Sequence, residues 1–119
     1  MENRSIIGEK SLAFAKRIVK CYRFLTEKKR EGIMSKQLLR CGTSIGANVR
    51  EGQYAQSKKD FVSKMNIALK EAGETDYWLE VIHTAGFFTD EEFASLDADN
   101  KELIKMLVAI VKTAKRDGS

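Results

Sequence analysis

The chain has 119 residues, a length typical of one domain that buries roughly two thirds of the surface of its unfolded chain. It is 43% hydrophobic and 32% charged and contains no proline, a composition that favours long helices over a sheet or a turn-rich fold. Its 21 basic and 17 acidic residues give a formal net charge of +4. This charge favours a polyanionic partner but is far below that of a dedicated nucleic-acid arm.

The cysteines and the apolar runs restrict the compartment that we expect. Cys21 and Cys41 lie within apolar helical patterns and form no CxxC motif, which predicts reduced core thiols in a cytoplasmic protein. The longest apolar run, from Met106 to Val111, is too short to span a bilayer. The first residues, MENRSIIGEKS, lack the apolar segment of a signal peptide. We therefore expect no membrane partner.

The first predicted helix extends from about Glu9 to Glu27. Its apolar residues recur with helical spacing on one face, which comprises Leu12, Ala15, Ile18, Val19, Tyr22 and Leu25. The segment KKREG at 28–32 interrupts the pattern, and Gly32 is the predicted stop. The second predicted helix, about Ser35 to Gln53, carries a single stripe formed by Leu38, Cys41, Ile45, Val49 and Gly52, with Gly42 and Gly46 beside it.

Capping motifs mark the start of the last two predicted helices. Ser57 is the predicted N-cap of the third, with Asp60 as its partner three residues later. Its main face comprises Phe61, Met65, Ala68, Ala72, Leu79, Ile82 and Gly86. Thr89 and Glu92 form a capping box for the fourth, whose face comprises Phe93, Leu96, Leu103, Leu107, Ile110, Val111 and Ala114. The short connections predict one all-α domain over 1–119, an antiparallel up-down-up-down four-helix bundle.

The third helix carries more apolar residues than one bundle core requires. Beyond its main face, Ile67, Trp78 and Ala85 form a second apolar edge, and Val62 and Leu69 form a third. One interpretation is that the helix is central in its own bundle. The other is that a further face packs against another copy of the chain, and in that case the oligomer interface comprises Ile67, Tyr77, Trp78 and Val81.

The sequence offers little support for catalysis. The single histidine, His83, forms a Glu-x-x-His element with Glu80, but a di-metal bundle site needs two such elements and two further glutamates. One histidine provides no evident base for either cysteine, and GTSIG at 42–46 is not a phosphate-binding P-loop. We therefore expect His83 to be structural, and the protein to have no catalytic residues, metal or cofactor.

A basic face on the first helix is the best candidate for a binding site. Its residues project away from the predicted core stripe and comprise Lys16, Arg17, Lys20, Arg23 and Lys28, with Phe24 among them. A ring on a cationic surface can stack on an unpaired base. It can also be buried in a subunit contact or lie in solvent as a single exposed aromatic. The sequence leaves these three interpretations open.

Glycines and an asparagine on the second helix raise a question about packing. Gly42 and Gly46 have poor helix propensity, so their presence beside the core stripe predicts a close approach by a neighbouring helix. Asn48 lies at the rim of the stripe and needs a polar partner, for which Glu71 and Thr75 on the third helix are the candidates. A pair of this kind fixes helix register. The predicted register set comprises Gly42, Gly46, Asn48, Glu51, Glu71 and Glu74.

A resemblance to a known family rests on residues 43–82, TSIGANVREGQYAQSKKDFVSKMNIALKEAGETDYWLEVI. This stretch resembles the four-helix-bundle proteins encoded in intervening sequences of bacterial 23S rRNA genes, often labelled S23 ribosomal protein. It is similar also to the accessory protein of diversity-generating retroelements. The resemblance covers nearly the whole chain and is most specific in SIGANVREG and KEAGETDYWL. The chain departs in the loop TEKKREGIMS, where many relatives have a proline-containing turn.

The resemblance implies a bacterial, non-enzymatic protein that forms a closed homo-oligomeric ring, often a pentamer. Retroelement relatives bind a reverse transcriptase, and bind nucleic acid through a basic surface. The leading functional prediction is therefore a homo-oligomeric adaptor that binds RNA or DNA through its basic face. The alternative is a structural or protein-binding module, for example a reverse-transcriptase accessory protein, that does not bind nucleic acid directly.

Overall fold

The computed structural model describes residues 2–118, and side chains from 6 to 117. All regular structure in this range is helical, which confirms the predicted class. The elements are α1 (Glu2–Glu27), α2 (Ile33–Gln53), α3 (Lys58–Thr84) and α4 (Asp90–Gly118). Each helix packs on the next in sequence, and α4 also contacts α1. The result is an elongated molecule of 47 × 21 × 19 Å.

The predicted stripes of α2, α3 and α4 form the core. Leu38, Cys41, Ile45 and Val49 of α2 are fully buried. The buried residues of α3 are Phe61, Met65, Ala68, Ala72, Leu79 and Ile82, and those of α4 include Leu96, Leu103, Leu107, Ile110 and Val111. Phe93 and Ala114 pack at the edge of this core. Because these residues recur every three or four positions, each helix turns one continuous apolar face inward.

The prediction for α1 was partly wrong. The helix begins at Glu2, earlier than expected, and its buried face comprises Ile7, Ser11, Phe14, Ile18 and Leu25. Leu12 and Val19 are 39% and 44% exposed. Two apolar stripes run along α1 and share Ile18 and Leu25, and the stripe through Ile7 and Phe14 points into the bundle. Leu12 and Val19 therefore belong to the outer surface.

Gly42 and Gly46 lie where α1 approaches α2. A Cβ atom at position 42 would lie 2.9 Å from Cγ1 of Ile18, and one at position 46 would lie 3.1 Å from the carbonyl oxygen of Ser11. Both distances are shorter than the ordinary van der Waals contacts of a Cβ atom. The glycines therefore permit a helix approach that any larger residue would obstruct, as their position beside the stripe predicted.

The connections between helices use side-chain caps. Ser57 Oγ accepts the backbone N–H of Asp60 at 3.0 Å, and Thr89 and Glu92 form the predicted capping box, with bonds of 2.8 and 3.1 Å. Gly86 was wrongly placed on the core face of α3, because that helix ends at Thr84 and Gly86 follows it in the left-handed region with φ +91. Glycine adopts this conformation without a steric penalty.

The cap of α2 was missed by the sequence reasoning. Arg30 adopts a left-handed conformation with φ 59, and the chain then turns Glu31 inward. The Glu31 carboxylate accepts the backbone N–H groups of Ile33, Met34 and Ser35 at 2.9–3.1 Å. These groups have no intrahelical partner at a helix start, so α2 begins at Ile33, two residues before its predicted start.

Candidate nucleic-acid interface

The outer face of α1 carries a row of exposed lysines. Lys16, Lys20 and Lys28 are exposed, and none of the three forms an ion pair with any side chain that the structure describes. Lys29 and Arg30 continue the positive charge into the α1–α2 turn. The three lysines therefore project away from the core, and their role in binding nucleic acid stays a prediction.

Arg17 does not belong to this free surface. Its guanidinium donates to the Asp99 carboxylate at 2.6 Å and to the Ser95 hydroxyl at 3.0 Å, both on α4. The helical rotation that turns Ile7 and Phe14 inward also directs Arg17 toward α4. The prediction that Arg17 projects freely away from the core is therefore corrected, because Arg17 joins α1 to α4, as Lys10 does through Glu102 at 3.3 Å.

Arg23 is partly neutralised within its own helix. Its Nε atom lies 3.4 Å from a carboxylate oxygen of Glu27, one turn later, and both side chains are largely exposed. An exposed pair of this kind contributes typically about 0.3–0.5 kcal/mol, so a phosphate can displace Glu27 at little cost. Arg23 can still contribute to the basic face, though less directly than the lysines.

Phe24 lies among these cations. The residue is 37% exposed, and the Lys29 ammonium lies 5.7 Å from the ring centroid. This distance is within the range of a cation–π contact. One side of the ring therefore already has a neighbour, while the exposed part can contact a base or another protein surface.

Acidic residues flank the basic face on the α4 side. The first turn of α4 contains Asp90, Glu91 and Glu92, and the α3–α4 turn lies at the same end of the bundle as the α1–α2 turn. Positive charge is therefore concentrated on the α1 side of this end and negative charge on the α4 side. A polyanion that binds at this end of the bundle would therefore approach along α1.

The predicted partner of Asn48 was wrong. Asn48 is half-buried, and its Nδ2 donates to the Ser44 carbonyl of its own helix at 2.9 Å. Thr75 donates instead to the Glu71 carbonyl at 2.8 Å. Asn48 therefore satisfies its donor locally, as asparagine often does, and it does not link α2 to α3 through Glu71 or Thr75.

The three glutamates of the predicted register set do link α2 to α3, through partners that the sequence reasoning did not name. Glu71 and Glu74 both pair with Arg40 of α2, and Glu74 also accepts the Trp78 indole N–H at 3.3 Å. Glu51 pairs with Lys64 at 3.1 Å. Two polar links therefore join these helices along their length.

A buried polar link between α3 and α4 was also missed. Asn100 is fully buried, and its Nδ2 donates to the Ala72 carbonyl at 3.0 Å, while its Oδ1 has no partner among the described residues. The Leu-x₃-Asn-x₂-Leu spacing on the α4 stripe placed Asn100 on the core face. The spacing alone could therefore have predicted that Asn100 is a buried polar residue, although the sequence reasoning did not name it.

Two apolar surfaces are exposed among the described residues. On α3, Tyr77 is 58% exposed, Ile67 is also exposed, and Trp78 and Val81 are half-buried. The Tyr77 and Trp78 rings meet edge to face at 5.0 Å. Between α1 and α2, a groove of about 680 Å³ is lined by Leu12, Ala15, Gly46 and Ala47 and also by polar residues.

His83 has a structural environment. Its ring stacks on Phe93 at 4.2 Å, and its Nε2 lies 2.8 Å from the Asp90 carboxylate. These contacts join the end of α3 to the start of α4. Within residues that the structure describes, no group of three or more histidine, cysteine or acidic side chains is arranged to hold a metal ion.

Both cysteines have a poorly reactive environment. The pKa of the Cys21 thiol is raised to about 11, mainly by burial and also by the nearby Glu92 carboxylate, against the opposing effect of Arg17. Burial likewise raises the pKa of Cys41. Reactive cysteines have a lowered pKa instead, since the thiolate is the nucleophile.

No helix among residues 2–118 is long and apolar enough to cross a bilayer.

These features define a class of compact four-helix proteins with one basic helix face and uncovered apolar surfaces. The profile of the 23S rRNA-intervening sequence protein family matches residues 3–109, and the chain belongs to that family. A crystal structure from the S23 ribosomal protein family of Bacteroides thetaiotaomicron, described as a protein with unknown function, is 50% identical, with a TM-score of 0.91. The match covers 92% of this chain and 98% of that one. Among curated proteins, none matches the chain significantly.

Proposed function

We propose that this protein is a non-enzymatic, homo-oligomeric adaptor that binds RNA or DNA through the outer face of α1. The observation that carries this proposal is the row formed by Lys16, Lys20 and Lys28, exposed and free of ion pairs within the described residues, beside the partly exposed ring of Phe24. Lysines bind backbone phosphates without reading sequence, and an aromatic ring stacks on any unpaired base. The expected binding is therefore sequence-tolerant.

The uncovered apolar surfaces support an oligomer. The α3 surface around Tyr77 is aromatic and aliphatic, whereas the α1–α2 groove beside Leu12 is lined by small and polar residues, so the two surfaces differ. Contact between two different surfaces is heterologous, and it generates a ring when the rotation closes. We propose that Ile67, Tyr77 and Val81 of one copy pack into the α1–α2 groove of the next, in a ring such as a pentamer.

The nucleic-acid proposal is tested by salt-dependent binding. Fluorescence anisotropy with a labelled single-stranded RNA or DNA would compare the wild type with Lys16→Gln/Lys20→Gln. Each phosphate contact contributes about 0.7 to the slope of log affinity against log salt for single strands, so the double variant should flatten the slope by up to about 1.4 units. Phe24→Ala should weaken single-strand binding and leave the slope unchanged.

A matched control separates the site from the net charge. Lys70→Gln/Lys105→Gln removes the same two charges from exposed positions on α3 and α4, outside the basic face. This variant should bind like the wild type. Equal losses in both double variants would show that only overall charge matters, and absence of wild-type binding at low salt would refute the proposal.

The oligomer is tested by sedimentation. Ile67→Lys/Tyr77→Lys should dissociate the assembly because it places two charges in the proposed contact, whereas Val108→Lys, an exposed apolar position on α4, should not. A wild-type species near 13.5 kDa across a broad concentration range would contradict the proposal.

A protein-binding module is the second candidate, and one observation favours it. Arg17 and Arg23 are engaged by carboxylates, and the acidic start of α4 lies beside the basic face. The same apolar surfaces could then receive another protein, for example a reverse transcriptase. Assembly with a protein partner by a chain that binds no nucleic acid would support this function.

A further inference from the structure

The end of the bundle opposite the α1–α2 turn has a separate concentration of positive charge. We call it the Tyr54 end, and it comprises the α2–α3 turn and the last turns of α4. Asn100 donates to the Ala72 carbonyl at 3.0 Å, and Lys101 contacts Asp76 at 2.8 Å. These contacts set an antiparallel register between α3 and α4, and continuing that register outward places residues near 115 level with Lys58 and Lys59.

Exposed cations outnumber carboxylates at the Tyr54 end. The cations are Arg50, Lys58, Lys59, Lys112 and Arg116, all exposed, and none of them forms an ion pair with another side chain from 6 to 117. The carboxylates are Asp60, Asp117 and Glu9, the last of which shares the α1–α2 groove with Arg50. Lys64 and Glu51 neutralise each other. Among the side chains that the structure describes at this end, cations therefore outnumber carboxylates.

Fold stability does not account for two of these lysines. Lys58 and Lys59 are the first two residues of α3, where the positive end of the helix dipole disfavours cations. They also lie level with the basic last turn of α4, which contains Lys115 and Arg116. Those two residues are at a helix end that favours cations. A local electrostatic preference that is violated without a compensating contact is typical of a functional site.

An aromatic ring lies at the same end. Tyr54 is 82% exposed, although its backbone is fixed by an N–H bond to the Glu51 carbonyl at 3.1 Å. In sequence it lies between Arg50 and Lys58. Rings held in this way on a cationic surface provide stacking platforms for unpaired bases.

We propose that the Tyr54 end is a second contact for single-stranded nucleic acid, in which Lys58 and Lys59 bind backbone phosphates and the Tyr54 ring stacks on a base. This contact extends the proposed function but uses none of the residues on the α1 face. The 21 residues of α2 span about 30 Å at about 1.5 Å per residue, so the Tyr54 end lies about one helix length from Lys28 and roughly half that distance from Lys16. A strand that spans both contacts binds by avidity.

The test measures anisotropy of labelled single-stranded and duplex oligonucleotides with Lys58→Gln/Lys59→Gln. The double variant should flatten the single-strand salt slope by up to about 1.4 units, whereas the Lys70→Gln/Lys105→Gln control should not. Tyr54→Ser should weaken single-strand binding about tenfold and leave duplex binding unchanged, because duplex bases are already stacked. Both variants should melt at or above the wild-type temperature, since neither removes a stabilising contact.

The outcomes distinguish this contact from the α1 face. If Lys58→Gln/Lys59→Gln loses affinity for single strands while Lys16→Gln/Lys20→Gln binds like the wild type, the Tyr54 end is retained as a contact and the α1 site is refuted. The reverse result would overturn the Tyr54 proposal and leave the α1 site in place. A lower melting temperature of Lys58→Gln/Lys59→Gln would also overturn it, because the lysines would then serve the fold. If Lys58→Gln/Lys59→Gln loses binding to anionic phospholipid vesicles but binds nucleic acid like the wild type, the Tyr54 end contacts a lipid surface and the proposal is refuted.

Discussion

Gly42 faces the side chain of Ile18 so closely that a methyl group at position 42 would lie 2.9 Å from Cγ1 and 3.0 Å from Cγ2 of Ile18. Both Ile18 atoms belong to a fully buried β-branched side chain, which has few alternative rotamers. The α1–α2 distance is therefore set by the absence of a side chain at one position of α2.

Gly42→Ala should destabilise the fold by about 1–3 kcal/mol, because the added methyl group overpacks a core that has no room to relax. Gly73→Ala is the matched control, since nothing lies within 4 Å of a Cβ atom at that exposed position of α3. That change should stabilise the fold by about 0.5–1 kcal/mol through helix propensity. Urea unfolding of both variants measures the difference, and equal effects would contradict a close approach at Gly42.

Glu31→Gln should destabilise the protein by about 1–3 kcal/mol at neutral pH, because charge-assisted bonds to the start of α2 are weakened. Burial alone would raise the pKa of Glu31, but bonds from the backbone N–H groups of Ser35, Met34 and Ile33 outweigh it, and the net pKa is lowered. The stabilisation of the fold by the ionised Glu31 carboxylate is therefore complete above the unfolded pKa of about 4.3. It is lost as the pH falls through the lower folded pKa.

Unfolding free energies of the wild type and Glu31→Gln, measured from pH 7 to pH 3, test this linkage. The difference between the two proteins should narrow as the pH falls. Glu80→Gln, at an exposed position of α3, provides a control that should show no such narrowing. A constant difference across the range would show that the charge of Glu31 is not what stabilises α2.

Asn48→Leu should change stability by less than about 1 kcal/mol, because the bond it removes lies within one helix and the site is only half-buried. Asn100→Ala should cost about 1–3 kcal/mol, since it removes a buried bond between α3 and α4. Thermal unfolding compares the two variants. A larger loss for Asn48→Leu would reveal an interhelical role for Asn48.

Cys21 should resist alkylation in the folded protein. With its pKa raised to about 11, its thiolate fraction at pH 8 is roughly two orders of magnitude below that of an ordinary thiol with a pKa of about 8.5. Iodoacetamide labelling followed by mass spectrometry should therefore be slow in buffer and rapid for both cysteines in guanidinium. Rapid labelling of Cys21 in buffer would contradict its burial.

The sequence predicted the core faces of α2, α3 and α4 because each has one dominant apolar stripe. The prediction for α1 was only partly correct because Leu12 and Val19 compete with Ile7 and Phe14, and spacing alone does not decide which stripe points inward. That choice depends on the tertiary approach of α2, which Gly42 and Gly46 permit. The partial error on α1 also explains why Arg17 was assigned to solvent.

The sequence predicted which residues of the candidate site are exposed, but not which side chains they contact. Exposed lysines and Phe24 were identified from helical geometry, but their partners depend on contacts between distant parts of the chain, such as Arg17 with Asp99. Glu31 was missed for a different reason. Its role requires the left-handed turn at Arg30, and arginine carries no sequence signal for that conformation.

Most contacts between helices join neighbours in sequence, and the α1–α4 contact is the smallest. Low contact order of this kind favours folding in microseconds to milliseconds. The α2–α3 hairpin has the most extensive packing and polar links at both ends, so it is suited to form early. Closure of α1 against α4 is the one step that joins the two ends of the fold.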